Sequence, residues 1–203
     1  FSNTYFFEKE RDWIGICVEP IPDVYKKLCS SRRNSTNYNV CISQNDTTVT
    51  FRRVIGAPEM LSGILNFMLP EHLERINTEC RNSNSTFEDI KIESKNICTI
   101  LEKHGNPRID YLSIDTEGAE FSIIKTIDFD KTDISFISIE NNHNSKEIRK
   151  YLKEKGFKVV PYVTDDFFIK KSGSILCFRL KVLCLFYKRI IKTKIRSILN
   201  KKK

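Results

Sequence analysis

Short apolar runs recur along the chain and predict buried β-strands. Each run ends at a polar or acidic residue and is shorter than a typical core helix. Such runs, rich in Ile, Val, Phe and Tyr, are typical of strands inside a packed sheet. The predicted strands are residues 13–19, 38–43, 48–54, 111–114, 134–139, 157–163 and 167–169.

Between most of these strands, apolar residues return every three or four positions, which predicts amphipathic helices. The predicted helices are residues 5–11, 23–28, 70–80, 97–104, 119–127 and 146–155. Strands that alternate with helices favour a doubly wound α/β fold, a three-layer sandwich on a mostly parallel sheet. We expect one antiparallel strand, from residues 167–170 or 174–180. Residues 57–65 and 81–89 are predicted loops, of the kind that often form lids.

Composition indicates one globular domain followed by a basic tail. The chain has 203 residues and a net charge of +8, but residues 179–203 hold ten of its 34 Lys and Arg residues and no acid. The preceding residues therefore carry 24 basic and 26 acidic groups, a balance of −2. We assign a domain to residues 1–179 and a tail to residues 180–203. A body without excess positive charge argues against nucleic-acid binding.

The seven cysteines include no C-x-x-C pair, which argues against a zinc site and against a complete disulfide framework. A reducing, cytoplasmic location is the simpler interpretation. Three N-x-S/T triplets begin at Asn34, Asn45 and Asn84, but such triplets arise by chance. No run of about 18 uncharged apolar residues could span a membrane.

The most informative stretch is residues 109–120, I-D-Y-L-S-I-D-T-E-G-A-E. It predicts a strand with acids and a glycine at its carboxyl end, where α/β sheets bind ligands. Asp115 and Glu117 could merely cap the following helix. Two acids beside a glycine that permits close approach favour a ligand site instead.

A second acid, Glu19, follows the predicted strand at residues 13–18, and Pro20 comes directly after it. In nucleotide-binding α/β folds, an acid at this position accepts hydrogen bonds from both ribose hydroxyls. A solvated charge at the end of a strand is the alternative. Glu19 is therefore a candidate cofactor ligand.

Four segments together resemble the FkbM-type methyltransferases, which use S-adenosylmethionine on a Rossmann-like sheet. They are S-N-T-Y-F-F-E-K, W-I-G-I-C-V-E-P, I-D-Y-L-S-I-D-T-E-G-A-E and I-S-I-E-N-N. The resemblance covers residues 1–170 and implies that Glu19 with Pro20 binds the ribose of the cofactor and that Ile42 and Ser43 border the adenine. It also implies that Asn3 is near the cofactor and that Asp115 and Glu117 face the methionine end and the acceptor.

Relative to this family, the strand and glycine-rich loop expected before the S-N-T segment are absent from the sequence. That strand would lie between the strands at residues 13–19 and 111–115. We therefore expect a gap between those two strands, or an unusually exposed edge. A fragment of a longer product is the favoured explanation; a strand supplied by another chain and a loss of catalysis are the alternatives.

The implied reaction is methyl transfer from S-adenosylmethionine to a hydroxyl of a sugar or another small metabolite. The protein must then remove the proton of the acceptor hydroxyl. Candidate bases are Asp115, Glu117, Glu140 and His143, with Asp115 preferred because it follows the central strand. Asp115, Glu140 and Asn141 could also bind a metal, but their spacing does not require one, and we predict none.

Two other function classes compete with this prediction. A catalytically inactive Rossmann-like module that binds partners fits the missing glycine loop, whereas the retained Glu19 and Asp115 oppose it. RNA methylation or nucleic-acid binding depends on the net charge alone, and we expect no nucleic-acid partner.

Residues 180–203 carry an apolar stripe at helical spacing with lysines and arginines largely off it. A basic amphipathic helix of this kind could bind an anionic membrane surface, which would make the protein peripheral to a membrane. Docking on the domain with a solvated basic face is the alternative.

Overall fold

The computed structural model describes residues 2–141, 144–161 and 165–171. The helices of this part are α1 (Tyr5–Arg11), α2 (Pro22–Ser31), α3 (Pro70–Ser83), α4 (Ile97–Lys103), α5 (Glu120–Thr126) and α6 (Lys146–Glu154). The strands are β1 (Gly15–Val18), β2 (Ser35–Tyr38), β3 (Cys41–Ser43), β4 (Thr47–Ile55), β5 (Gly63–Ile64), β6 (Thr86–Asn96), β7 (Leu112–Ile114), β8 (Phe136–Glu140), β9 (Phe157–Pro161) and β10 (Asp165–Lys170). Glu59–Leu61 and Leu65–Phe67 are short 3₁₀ turns.

The strands form three sheets, with orders β1-β2, β7-β8-β10-β9 and β3-β6-β4-β5. The pairs β1–β2, β3–β6 and β7–β8 are parallel, and the other four pairs are antiparallel. The α/β class is confirmed, but the prediction of one mostly parallel sheet is wrong. The antiparallel strand predicted at residues 167–170 is confirmed as part of β10.

The long strand β6 is the main element that the sequence analysis missed. It pairs antiparallel with the whole of β4, from Thr47 opposite Ser94 to Ile55 opposite Thr86. Exposed and buried positions alternate in part of β6, and mostly polar residues occupy the exposed positions. The segment therefore lacks the continuous apolar run that marks a buried strand. The predicted loop at residues 81–89 is accordingly wrong from Thr86 onward.

The predicted strand at residues 38–43 is two strands in different sheets. Asn39 separates them, because its side-chain amide donates to the backbone oxygens of Glu19 (2.8 Å) and Pro20 (3.0 Å). The chain therefore leaves β2 at Tyr38 and begins β3 at Cys41. The same two bonds fix the backbone at the carboxyl end of β1.

The core lies around the sheet β7-β8-β10-β9, where α5 and α6 bury their isoleucines and leucine against β8 and β9. Helix α1 packs Phe7 against Phe136 and Phe167 of this sheet. The buried ion pair Arg32–Glu8 (2.6 Å) ties α1 to the end of α2. Helix α1 thereby links the β1-β2 pair to the larger sheet.

A cavity of about 1360 Å³ is lined by both β1 and β7. Among the described residues, each of these strands pairs on one side only, β1 with β2 and β7 with β8. The two strands are therefore not hydrogen-bonded to each other, which agrees with the predicted gap or exposed edge. The acids at the ends of β1 and β7 also line this cavity.

No helix in the described ranges is long and apolar enough to cross a membrane. The predicted strand at residues 174–180, the boundary at residue 179 and the basic helix at residues 180–203 lie outside the described part of the chain. His143 also lies outside it.

Candidate functional site

Glu120, the first residue of α5, organises the acidic loop that follows β7. Its carboxylate accepts hydrogen bonds from the backbone N–H of Thr116 (2.9 Å), from the Thr116 hydroxyl (2.9 Å) and from the backbone N–H of Gly118 (3.1 Å). Glu120 is 8% exposed. The N–H groups of Thr116 and Gly118 thus donate to Glu120, a residue that the sequence analysis did not single out.

The loop backbone explains why Gly118 is needed. The φ angle of Gly118 is +120°, and a Cβ atom at this position would lie 2.6 Å from the backbone oxygen of Phe67. Glu117 also has a positive φ, 55°. A left-handed conformation is costly for a residue with a side chain, so the surrounding contacts hold Glu117 in an unusual orientation.

Asp115, Glu117 and Glu140 come together at the ends of β7 and β8. One carboxylate oxygen from each residue lies within 4.8 Å of the others. The side chain of Glu140 lies close enough to Asp115 to lower the pKa of Asp115, against the effect of burial. The structure therefore brings together all three predicted catalytic acids.

Burial raises the pKa of Asp115, although its hydrogen bond with Glu140 opposes this shift. The Asp115 side chain is exposed to the cavity, yet protein walls surround that opening. Burial, and then the charge of Asp115, raise the pKa of Glu117 to about 7, while Arg75 acts in the opposite direction. A group with this pKa can exchange a proton near neutral pH.

Two more residues border the acid cluster and were not predicted. Asp165, which pairs in register with Glu140, has its pKa raised by burial and by the charges of Asp115 and Asp166. His72 in α3 places its Nδ1 atom 3.6 Å from Oε2 of Glu117. A single histidine in a polar helical stretch carries no sequence signal that could have identified His72.

Asp115, Glu117 and Glu140 are close enough to share a divalent cation, but clusters of exposed acids are common without one. Asn141 is engaged elsewhere: its Oδ1 accepts from the backbone N–H of Ser145 (2.7 Å), and its Nδ2 donates to Asp166 (2.5 Å). The expectation that no metal is bound stays a prediction.

Glu19 lies at another part of the same cavity, beside Pro20 and Ile42. Its Oε1 accepts a hydrogen bond from the backbone N–H of Ile21 (2.8 Å), which fixes the carboxylate. Burial raises the pKa of Glu19, and the charge of Glu59 adds to this effect, while the Ile21 hydrogen bond opposes it. Glu19, Pro20 and Ile42 therefore lie where a ligand in the cavity would contact them.

Ser43 and Asn3 are placed differently from these cavity residues. Ser43 is buried, and its hydroxyl bonds to the Ser94 hydroxyl (2.7 Å) and donates to the backbone oxygen of Asn45. Asn3 donates from Nδ2 to the Ser113 hydroxyl of β7 (3.2 Å). Ser43 thus joins β3 to β6. Asn3 instead bonds to Ser113, which precedes Asp115 by two residues in the sequence.

The segment around Asn3 is held by Arg32. The guanidinium donates to the hydroxyls of Ser2 (3.0 Å) and Thr4 (2.9 Å), in addition to its bond with Glu8. These bonds flank Asn3 on both sides. The arrangement keeps Asn3 beside β7 and in contact with Ser113, which lines the cavity together with Asp115.

The cavity thus has an acid with a fixed oxygen at the end of β1 and a cluster of acids at the ends of β7 and β8. Comparison with known protein families identifies the family of the chain. Residues 1–159 match the methyltransferase FkbM domain family. No curated protein and no solved structure matches the chain. Since the match spans most of the 203 residues, the chain belongs to the methyltransferase FkbM domain family.

Proposed function

We propose that the protein transfers a methyl group from S-adenosylmethionine to a hydroxyl oxygen of a sugar or another small metabolite. The observation that carries this proposal is the single cavity that contacts both Glu19 and the acid pair Asp115 and Glu117. A methyltransferase needs these two elements, a cofactor ligand and a base, on one continuous surface.

Glu19 is the proposed ligand for the ribose. Its Oε1 is held by Ile21, and no hydrogen bond from another described residue reaches Oε2. A carboxylate with an open oxygen can accept from vicinal hydroxyls. Pro20 and Ile42 line the cavity nearby and offer apolar surface to an adenine ring.

S-adenosylmethionine, when bound, supplies an activated methyl group. The protein must then hold the acceptor oxygen in line and remove its proton. Burial raises the pKa of Asp115, which makes its ionised carboxylate a better proton acceptor. Asp115 is the proposed primary base because it lines the cavity, with Glu140 beside it.

Glu117 supports this role through its charge and position. The charge of Asp115 raises the proton affinity of Glu117, because like charges disfavour ionisation. With a pKa of about 7, Glu117 could also receive the acceptor proton at neutral pH. The proposal therefore assigns proton removal to the acid cluster and not to a single group.

Isothermal titration calorimetry with S-adenosylmethionine tests the cofactor assignment. We expect binding by the wild type, and we expect Glu19→Ala to weaken it by about 1–3 kcal/mol through lost charge-assisted hydrogen bonds. Glu10→Ala is a matched control, because Glu10 is exposed on α1. No heat at millimolar cofactor would instead support the inactive binding module.

A separate assay tests the reaction. Transfer of labelled methyl from S-adenosylmethionine to a panel of sugars and small hydroxyl compounds would identify the acceptor class. Binding of the cofactor without transfer to any hydroxyl compound would retain the cofactor assignment and reject O-methylation. The proposal that residues 180–203 bind an anionic membrane surface is tested independently by sedimentation with liposomes.

A further inference from the structure

His72 is buried in the first turn of α3, with 9% of its surface exposed. Pro70 begins this helix at its first position, where a proline is tolerated because its missing N–H is not needed. The side chain of His72 then points into the protein, between the 3₁₀ turn Glu59–Leu61 and the acidic loop. A buried imidazole needs partners for its ring nitrogens.

One ring nitrogen has a partner of defined polarity. Nε2 of His72 lies 2.9 Å from the backbone oxygen of Leu61. A carbonyl oxygen can only accept, so Nε2 must carry the hydrogen. In the neutral ring, the lone pair is then on Nδ1. The contact with Leu61 therefore makes Nδ1, the nitrogen that faces the acidic loop, a hydrogen-bond acceptor in the neutral ring.

That second nitrogen faces Glu117. Nδ1 lies 3.6 Å from Oε2, and the two side chains are only 9% and 14% exposed. If the imidazole were neutral and Glu117 ionised, a lone pair would face a carboxylate oxygen with no proton between them. A proton on either group turns this repulsion into attraction.

The backbone around Glu117 shows why such a contact matters. The segment of residues 61–67 begins with Leu61, whose backbone oxygen contacts His72. The same segment also packs on the acidic loop. A Cβ atom on Gly63 would lie 3.4 Å from the Glu117 Cβ atom, and one on Gly118 would collide with the Phe67 oxygen. One segment thus sets the positions of His72 and of Glu117.

We propose that His72 is a positioning residue, which holds the Glu117 carboxyl group beside Asp115 and Glu140 through its Nδ1 atom. This inference rests on the proposed methyl transfer for its functional consequence, but its structural part can be tested alone. Loss of the Nδ1 contact leaves Glu117 free to turn away from the cluster, which slows proton removal without changing cofactor binding.

Two substitutions separate positioning from a structural role. In His72→Gln the amide reaches the place of Nε2 and keeps a donor for Leu61, but nothing faces Glu117. In His72→Asn the amide lies near the place of Nδ1 and can donate to Glu117, but the bond to Leu61 is lost. The exposed neighbour Glu74 supplies a control, Glu74→Gln.

We expect His72→Gln to lower kcat by about tenfold or more, with KM for the acceptor and the affinity for S-adenosylmethionine within about twofold of wild type. His72→Asn should retain more of kcat than His72→Gln, even if its thermal stability is lower. The opposite order of kcat would overturn the inference and leave His72 as a structural ligand of Leu61.

An experiment without turnover distinguishes failure of this inference from failure of the proposed function. Long-range ¹H–¹⁵N spectra of histidine-labelled protein report which ring nitrogen is protonated, and His72→Gln assigns the signal among the three histidines. We expect hydrogen on Nε2 and a change in the Nδ1 resonance on Glu117→Gln but not on Glu74→Gln.

The two possible failures give different results. Spectra as expected from a protein that transfers no methyl group would reject the proposed function and retain the contact between His72 and Glu117. An Nδ1 resonance that does not respond to Glu117→Gln would reject the positioning role, whether or not the protein transfers methyl groups.

Discussion

The backbone N–H of Gly118 donates to both carboxylate oxygens of Glu120, each at 3.1 Å. The donor precedes the acceptor by two residues, so the loop folds back on the first residue of α5. Together with the bonds from Thr116, this arrangement satisfies the loop's donors with a buried acid. Asp115 and Glu117 are thereby left to face the cavity.

The first prediction concerns this loop. Glu120→Ala should lower the free energy of unfolding by about 1–3 kcal/mol, because the partly buried N–H groups of Thr116 and Gly118 lose a charged acceptor. Urea denaturation measures the effect. Glu147→Ala is the control, since Glu147 is also in the first turn of a helix but is exposed. Equal losses in the two variants would contradict the assigned role of Glu120.

The second prediction concerns the pH dependence of stability through Glu117. Its pKa is raised from 4.5 to about 7 in the folded protein, so the folded state binds this proton more tightly than the unfolded chain. The free energy of unfolding should therefore fall as pH rises from 4.5 through 7. Glu117→Gln removes this loss and should stabilise the protein at pH 8 by about 1–2 kcal/mol after solvent screening.

Urea denaturation of wild type and Glu117→Gln at about pH 5 and about pH 8 checks this prediction. The advantage of the variant should be larger at the higher pH. The control Glu74→Gln, at an exposed position of α3, should show no such difference. A constant advantage across this range would mean that Glu117 does not titrate as stated.

The third prediction concerns the support behind the acid cluster. Asp166 is 0% exposed, and Arg149 donates to its two oxygens at 2.7 and 2.8 Å. Arg149→Met should destabilise the fold by about 3 kcal/mol, because it leaves a buried carboxylate with one partner fewer. The double variant Arg149→Met/Asp166→Asn should recover part of this loss.

Chemical denaturation of the two single variants and the double variant gives the coupling energy. Lys150→Met is a control on the same helix, because Lys150 is exposed. Purely additive effects would show that the pair is not coupled. Asp165, the residue before Asp166, pairs in register with Glu140. We therefore expect Arg149→Met to lower the activity as well as the stability.

The fourth prediction separates the two ends of the cavity. Asp115→Asn should lower the turnover of methyl transfer strongly and leave the affinity for S-adenosylmethionine within a few-fold, because the change removes a base but keeps the side-chain volume. Steady-state kinetics combined with calorimetry measures both quantities. Unchanged turnover would remove Asp115 from the role of base.

Several local features follow from sequence patterns alone. The helical spacing at residues 97–104 and 146–155 corresponds to α4 and α6, and the apolar run at residues 134–139 corresponds to β8. These predictions succeed because an amphipathic helix or a buried strand depends on the side chains within one segment. The acids at the strand ends could be found for the same reason.

Other features depended on residues that are distant in sequence. The 11 residues of β6 take strand form because β4 pairs with them in an antiparallel ladder, and their own alternation is too weak to show this. The three separate sheets likewise result from pairing between strands. Backbone hydrogen bonds between segments have no signature within either segment, so the sequence could not exclude a single sheet.

The different roles of the acids at the site likewise could not be predicted from the sequence alone. The sequence determined that acids and a glycine follow a buried strand, and that Glu19 follows another. Only the tertiary structure decided that Glu120 accepts the hydrogen bonds of the loop, that Glu140 lies beside Asp115, and that His72 faces Glu117. The physical reason is that hydrogen bonds and pKa values depend on distance and burial, which arise when separate segments pack together.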